Sequence, residues 1–142
     1  MAALPLLAKE LDVLSRTIWG EARGEPLLGK IAVAWVIRNR VTTDIHGDNK
    51  PDWWGEGVIG VCQKPSQFSC WNEHDNNLPK LLAVSADDDA AKESLYVALG
   101  VWLGYLSDPT AGATHYHATS VSPAWAKGKP GQQIGNHVFY QL

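Results

Sequence analysis

Two carboxylates, Glu21 and Glu25, stand four residues apart in Ser15-Arg16-Thr17-Ile18-Trp19-Gly20-Glu21-Ala22-Arg23-Gly24-Glu25-Pro26, and each directly follows a glycine. Glycine lets a backbone turn sharply or come close to another part of the molecule, so a carboxylate beside one can be presented to a ligand. Glu21 follows an apolar and aromatic run. A carboxyl group that is partly withdrawn from water holds its proton more tightly and can serve as a general acid. Glu25 precedes Pro26, a residue suited to the first turn of a helix. A negative charge there meets the favourable end of the helix dipole, so the plain reading of Glu25 is a charge at a helix start.

A second constellation competes with the first. His115 and His117 lie two apart, with His137 on a later segment of similar character. Two imidazoles on one face of a strand, joined by a third from a neighbouring strand, can bind zinc and leave one position open for a catalytic water. That set would make a zinc-dependent amidase or peptidase. The spacing is weakly specific and HExxH is absent, so the preferred expectation is no metal and no cofactor, with the histidines packing beside a cleft.

The blocks IWGEARGEP with GKIAVAWVIRNRV, then VCQKPSQFSCW, DPTAGATHYHA and IGNHVFY, occur in that order. Together they resemble the SleB-type cell wall hydrolases, the family of spore-cortex-lytic enzymes and small phage endolysins. The resemblance covers roughly residues 12 to 142. It implies a mainly α (α+β) architecture, a lysozyme-like helical domain with a small β element. It also implies cleavage of the MurNAc–GlcNAc bond of peptidoglycan glycan strands, with Glu21 as the catalytic acid/base. Glu25, Gln67, Ser69, Trp71, Tyr116 and His117 fall in the matching blocks and are implied as substrate-binding neighbours. A lytic transglycosylase is favoured over a hydrolysing muramidase, because no motif supports a second carboxylate; Asp44, Asp48, Asp52 and Asp108 lie in loops without one.

Bulk properties narrow the alternatives. A chain of 142 residues with net charge −3 reads as one domain, 1–142, burying roughly two-thirds of its extended surface. Its charges are mixed without a basic stripe, which argues against nucleic acid. No stretch approaches a membrane span, so no stable membrane insertion is expected. The N-terminus lacks a signal-peptide pattern. The expectation is a monomer held in the host cytoplasm until released to the wall, as a phage endolysin is. Seven Trp and four Tyr exceed what one small core readily takes. Trp35 and Trp102 fall in helical patterns and read as core, whereas Trp19, Trp53, Trp54, Trp71 and Trp125 fall in junctions or loops and suit stacking on sugar faces. A non-enzymatic sugar-binding module is therefore a further alternative. Cys62 and Cys70 permit a disulfide without demanding one, the other reading being two buried thiols.

The positioning elements follow from periodicity. Leu7, Leu11, Leu14 and Ile18 predict a helix over 6–19, and Leu27, Ile31, Ala34 and Trp35 a largely buried one from Pro26 to about Arg40. Arg38 and Arg40 complement its dipole. Residues 42–57 and 65–77 read as loops, with 58–64 a short helix or strand between them. A short helical turn is expected from Leu78. A helix from about Asp89 to Tyr105 is expected to face inward through Leu95, Leu99, Trp102 and Leu103. After a turn at Asp108–Gly112, strands at 114–118 and 137–141 are expected to pair, joined by a proline- and glycine-rich connection.

Overall fold

The computed structural model of the protein describes residues 6–43, 54–55, 57–64, 67–85 and 87–142. Among the described residues, five helices and a small antiparallel sheet form the fold: α1 (Ala8–Ala22), α2 (Leu27–Thr43), α3 (Gly57–Gln63), α4 (Leu78–Ala83), α5 (Asp89–Trp102), then β1 (His115–Ala118), β2 (Gln132–Ile134) and β3 (His137–Tyr140). Single 3-10 turns at Ser69–Trp71 and Ala124–Ala126 interrupt the connections. Among the described residues no helix is long and apolar enough to cross a membrane. Trp53, Asp44, Asp48 and Asp52 lie outside the described residues.

α1 starts where Glu10 Oε1 accepts the Leu7 amide at 3.0 Å, relieving one orphan donor of the first turn. It then runs through Trp19-Gly20-Glu21 to Ala22, further than its apolar spacing predicts, so Glu21 sits in the last helical turn and not at a chain reversal. The reversal falls on Arg23-Gly24-Glu25, and Pro26 accepts the Gly29 and Lys30 amides at the start of α2. The inward face of α1 is Val13, Leu14, Thr17, Ile18 and Ala22; Leu7, assigned to that face by spacing, is exposed. α2 is the central helix, with Ala32, Val33, Ala34, Val36 and Ile37 fully buried, while Leu27 at its start is exposed. Trp35 is half-buried, its indole donating to the Leu106 carbonyl at 2.9 Å.

α5 packs against both α1 and α2. Asp88 caps it by accepting the Ala91 amide at 2.9 Å, so the acidic run Asp87–Asp89 forms the helix start. It ends at Trp102, where Gly104 takes φ +83°, a left-handed terminator that glycine adopts freely. Its buried face is Ser94, Val97, Ala98, Val101 and Trp102, whereas Leu95, Leu99 and Leu103 point to solvent. This corrects the leucine stripe. A helix squeezed between two others is set by how near its backbone can come, and the stripe with Ala98 and Ser94 lets α1 and α2 approach more closely than one made of leucines. Arg38 reaches across from α2 and donates to the Val101 carbonyl at 2.8 Å, serving the last turn of α5 and not its own helix.

The sheet order is β1-β3-β2, with His115 opposite Tyr140 and Ala118 opposite His137. Cross-strand partners share a face. Tyr116, Ala118, His137 and Phe139 therefore face the helices, while His115, His117, Val138 and Tyr140 face the other way. Trp125 covers that second face, its ring centroid 5.2 to 5.7 Å from those of Tyr140, His115 and His117.

Candidate active site

Glu21 is half-buried at the end of α1. Its carboxylate receives the Tyr116 hydroxyl of β1, which donates to Oε1 at 2.5 Å. Burial pushes the Tyr116 phenol well above its usual range, and the neighbouring Glu21 adds to this, so the hydroxyl keeps its proton and remains a donor. The ring of Tyr116 is fixed by His137 at 4.8 Å and Phe139 at 5.5 Å. The Cys70 side chain packs against the same end of α1, at Gly20, from the 3-10 turn Ser69–Trp71. Arg40 lies behind the site, 8% exposed, donating to the Thr114 carbonyl at 2.7 Å. Burial lowers the Arg40 pKa, and Tyr116, Cys62 and Glu21 act in the opposite direction. A buried guanidinium thus places positive potential near Glu21 and forms no ion pair with it.

Gly20 explains how the 69–71 turn reaches α1. A Cβ at Gly20 would lie 2.8 Å from Cys70 Cβ and 2.9 Å from its sulfur, so the glycine serves close approach and not a turn. The turn is held a second time where the Trp71 indole donates to Thr17 Oγ1 at 2.8 Å. Gly20→Ala should force these segments apart, costing about 1–3 kcal/mol as overpacking does. Thermal unfolding of the variant alongside its lytic rate checks this, and a variant as stable and active as the parent would show that the contact is slack.

Glu25 faces elsewhere. Its Oε1 accepts the Asn136 amide at 2.7 Å and its Oε2 the Asn136 side chain at 3.1 Å, with His137 Nδ1 3.7 Å away. A Cβ on Gly135, whose φ is +60°, would sit 2.5 Å from Glu25 Oε1. Glu25 thus ties the β2–β3 turn to the α1–α2 junction. Burial lowers the His137 pKa, against the pull of Glu25 and Glu21. Glu25→Gln replaces an acceptor with a donor facing Asn136 and should destabilise by about 1–3 kcal/mol, with a smaller loss of lysis than any change to Glu21. Calorimetry and turbidity assays on the same preparation separate the two; full stability with activity lost as deeply as at Glu21 would give Glu25 a chemical role.

The other residues implied by the resemblance are divided. Gln67 donates to the Trp54 and Val61 carbonyls at 2.7 and 2.8 Å, bracing its loop, and Ser69 is exposed at the start of the 3-10 turn. His117 lies on the far face of β1, with Nε2 2.9 Å from the Tyr140 hydroxyl and Nδ1 2.7 Å from the Ala118 carbonyl. Trp19, expected to be free for a groove, is buried, its indole donating to Asp88 at 3.2 Å and its ring carrying the Arg23 guanidinium at 4.2 Å. Trp54 and Trp71 are half-buried and Trp125 is exposed. Asp108 commits both oxygens to its own turn and to Asn39.

The zinc set does not converge. His137 shares the Tyr116 face of the sheet while His115 and His117 occupy the other, and among the described residues no group of three or more His, Cys, Asp or Glu is disposed to hold a metal ion. Cys62 and Cys70 are both free and buried. Burial pushes the Cys62 thiol up to about 12, so it is protonated and inert at neutral pH. Sequence reasoning missed Arg40, Cys70 and Asn136 as members of the site. Arg40 carried the one available signal, an arginine inside an otherwise apolar helical pattern.

Residues 24–140 match the family model described as Cell Wall Hydrolase, a match that begins three residues after Glu21. The chain is 29% identical over 132 residues to a spore cortex-lytic enzyme of Halalkalibacterium halodurans, covering 92% of this chain but 34% of that protein. A Bacillus cereus spore cortex-lytic enzyme gives the same identity, with 43% of its length covered. The chain therefore spans less than half the length of these relatives. The fold is similar to the crystal structure of the catalytic domain of the Bacillus cereus SleB protein, with TM-score 0.68 and 27% identity over 99% of this chain and 95% of that one. It is equally similar, at TM-score 0.68 and 27% identity over 97% of this chain and 100% of that one, to the catalytic domain of the germination-specific lytic transglycosylase SleB from Bacillus anthracis. The expected mainly helical, lysozyme-like architecture with a small β element is the one observed. With four-fifths of its length inside that family match and its whole fold inside those catalytic domains, the chain belongs to the cell wall hydrolase family.

Proposed function

We propose that this chain is a lytic transglycosylase that cleaves the bond between N-acetylmuramic acid and N-acetylglucosamine, with Glu21 as its only acid/base. The observation that carries this reading is the division among the carboxylates. Among the described residues, Glu21 receives the Tyr116 hydroxyl on one carboxylate oxygen only, while Glu25 and Asp108 each have both oxygens engaged elsewhere. Hydrolysis by either stereochemical route ordinarily needs a second carboxylate, ~5 Å away for retention or roughly 6.5–9.5 Å for inversion. With one group, the substrate must supply the nucleophile. Protonated Glu21 gives its proton to the glycosidic oxygen as the C1–O bond breaks, and the acetamido oxygen of the muramic acid stabilises the cation at C1. Glu21, now a carboxylate, takes the proton from the sugar's 6-hydroxyl as O6 bonds to C1. The proton returns to Glu21 and no water is consumed.

Tyr116 supports both halves of this cycle by holding one carboxylate oxygen in place while the other is free to exchange a proton with substrate. Arg40, buried behind the site, places positive charge on the side where the carboxylate develops. Digestion of purified sacculi followed by mass spectrometry tests the reading: 1,6-anhydro-muramic ends, lighter by one water than hydrolysed ends, are expected. Predominantly hydrated, reducing muramic ends would redirect the search to a water-activating base. An endolysin role in host lysis is part of the same proposal. Two buried free thiols suit a chain that folds in a reducing compartment, and lysis only when a holin is expressed with it in the host would bear on that role.

A further inference from the structure

We infer that Trp125 is a second glycan-holding platform, separate from the Glu21 site, on which a sugar ring of the peptidoglycan chain stacks. This rests on the reading of peptidoglycan as the substrate. The orientation of the indole follows from the rings beneath it. His117 and Tyr140 stand on the outer face of the sheet nearly parallel to each other, with 26° between their planes and 5.4 Å between their centroids. Trp125 is close to perpendicular to both, at 72° and 82°, and almost equally distant, at 5.7 and 5.2 Å. An indole that met this pair from the end of the stack would lie near one ring and far from the other. Near-equal distances place it across the edges of both, with one of its faces laid on them. His115, at 5.3 Å and 56°, supports the same plate from another position on β1. The opposite face of the indole is left outward, and the residue is 37% exposed.

The plate is held in place by its own turn. The Ala126 amide donates to the Pro123 carbonyl at 3.1 Å and the Lys127 amide to the Ala124 carbonyl at 3.2 Å, and Ala126 is buried. A flat ring fixed in this way loses little conformational freedom on binding. The C–H face of a pyranose is a matching surface, apolar and nearly flat, while its hydroxyl and acetamido groups project around the rim into water. The surroundings favour a sugar over a protein. Ser120, Ser122, Lys127 and Lys129 are exposed in the same connection, so polar side chains interrupt the apolar area and it does not reach the size of a protein interface. The two lysines are complementary to the carboxylates of the stem peptides that muramic acid carries. Tyr116, which meets Glu21, lies on the other face of the sheet, so the sugar on Trp125 is not the one whose bond is cut. Two contacts on one polymer raise the effective concentration of glycan at the cleaving site.

Binding is read in the full chain carrying Glu21→Gln, so that the wall stays uncut. Its retention on purified sacculi in a pelleting assay should weaken about tenfold when Trp125→Ala is added. Trp125→Tyr restores a flat ring and should recover most of that loss. Parental retention by the alanine variant would overturn the inference, as would equal loss in both variants, which marks a packing defect. A second measurement leaves Trp125 in place: its indole N–H resonance, assigned by its absence from the spectrum of the Trp125→Tyr variant, is expected to shift on titration with chitotetraose. A resonance that stays in place at millimolar sugar would equally overturn the platform. Should the alanine variant fail to fold, as judged by circular dichroism, this titration decides alone. Sacculi that retain none of the Glu21→Gln chain would remove the reading of peptidoglycan as substrate, whereas retention that Trp125→Ala leaves at parental strength removes only the platform.

Discussion

Glu21→Gln is expected to lower wall lysis by ~10² to 10⁴-fold, the range a general acid ordinarily contributes. The amide matches the carboxylate in shape and can still accept the Tyr116 hydroxyl through its oxygen, so the site's packing survives. What it cannot do is give up a proton to the glycosidic oxygen or take one from the 6-hydroxyl. The loss should therefore fall on kcat, with sacculus binding retained in a pelleting assay and unfolding temperature close to the parent. A variant keeping more than about a tenth of the activity would remove Glu21 from the acid role.

Tyr116→Phe is the next largest effect, ~10- to 100-fold in kcat, because a hydrogen bond to a charged group contributes about 1.5–3 kcal/mol. Phenylalanine keeps the ring against Phe139 and His137, so the sheet face stays packed and only the 2.5 Å contact to Glu21 is removed. Without it the carboxylate is free to rotate within its half-buried site. Steady-state rates on solubilised glycan fragments, with KM resolved from kcat, read the outcome. Parental kcat within about twofold would mean that the phenol only fills space and that Glu21 is oriented by other groups.

Much of this molecule was legible locally. The helical spacing of α1 and α2, the acidic start of α5, the Asp108 turn and the two alternating strands depend on residues within a few positions of one another, and periodicity reports such relations directly. Glu21 could be singled out for the same reason, since Trp19-Gly20-Glu21 is a local signal. The inward face of α5 was not legible, because Leu95-Leu99-Leu103 and Val97-Ala98-Val101 are both apolar stripes at helical spacing. The choice between them was made by the helices on either side. Trp19 was misplaced for a similar reason: its partner Asp88 is distant in the chain, and nothing near Trp19 announces that its indole has an acceptor there.

The amino-acid order by itself determined α1, α2, α5, β1 and β3 and which carboxylate stands beside an apolar run, because these are short-range properties of the chain, whereas it left α3 open between helix and strand and hid β2 in a connection. Only the tertiary structure decided what surrounds that carboxylate. Tyr116 comes from 95 residues away, Cys70 from a turn that approaches α1 only because Gly20 lacks a side chain, and Glu25 is drawn off by Asn136 from 111 residues away. Such contacts arise when packing of the core brings remote segments together, and no periodicity in a single segment encodes which remote side chain will meet it.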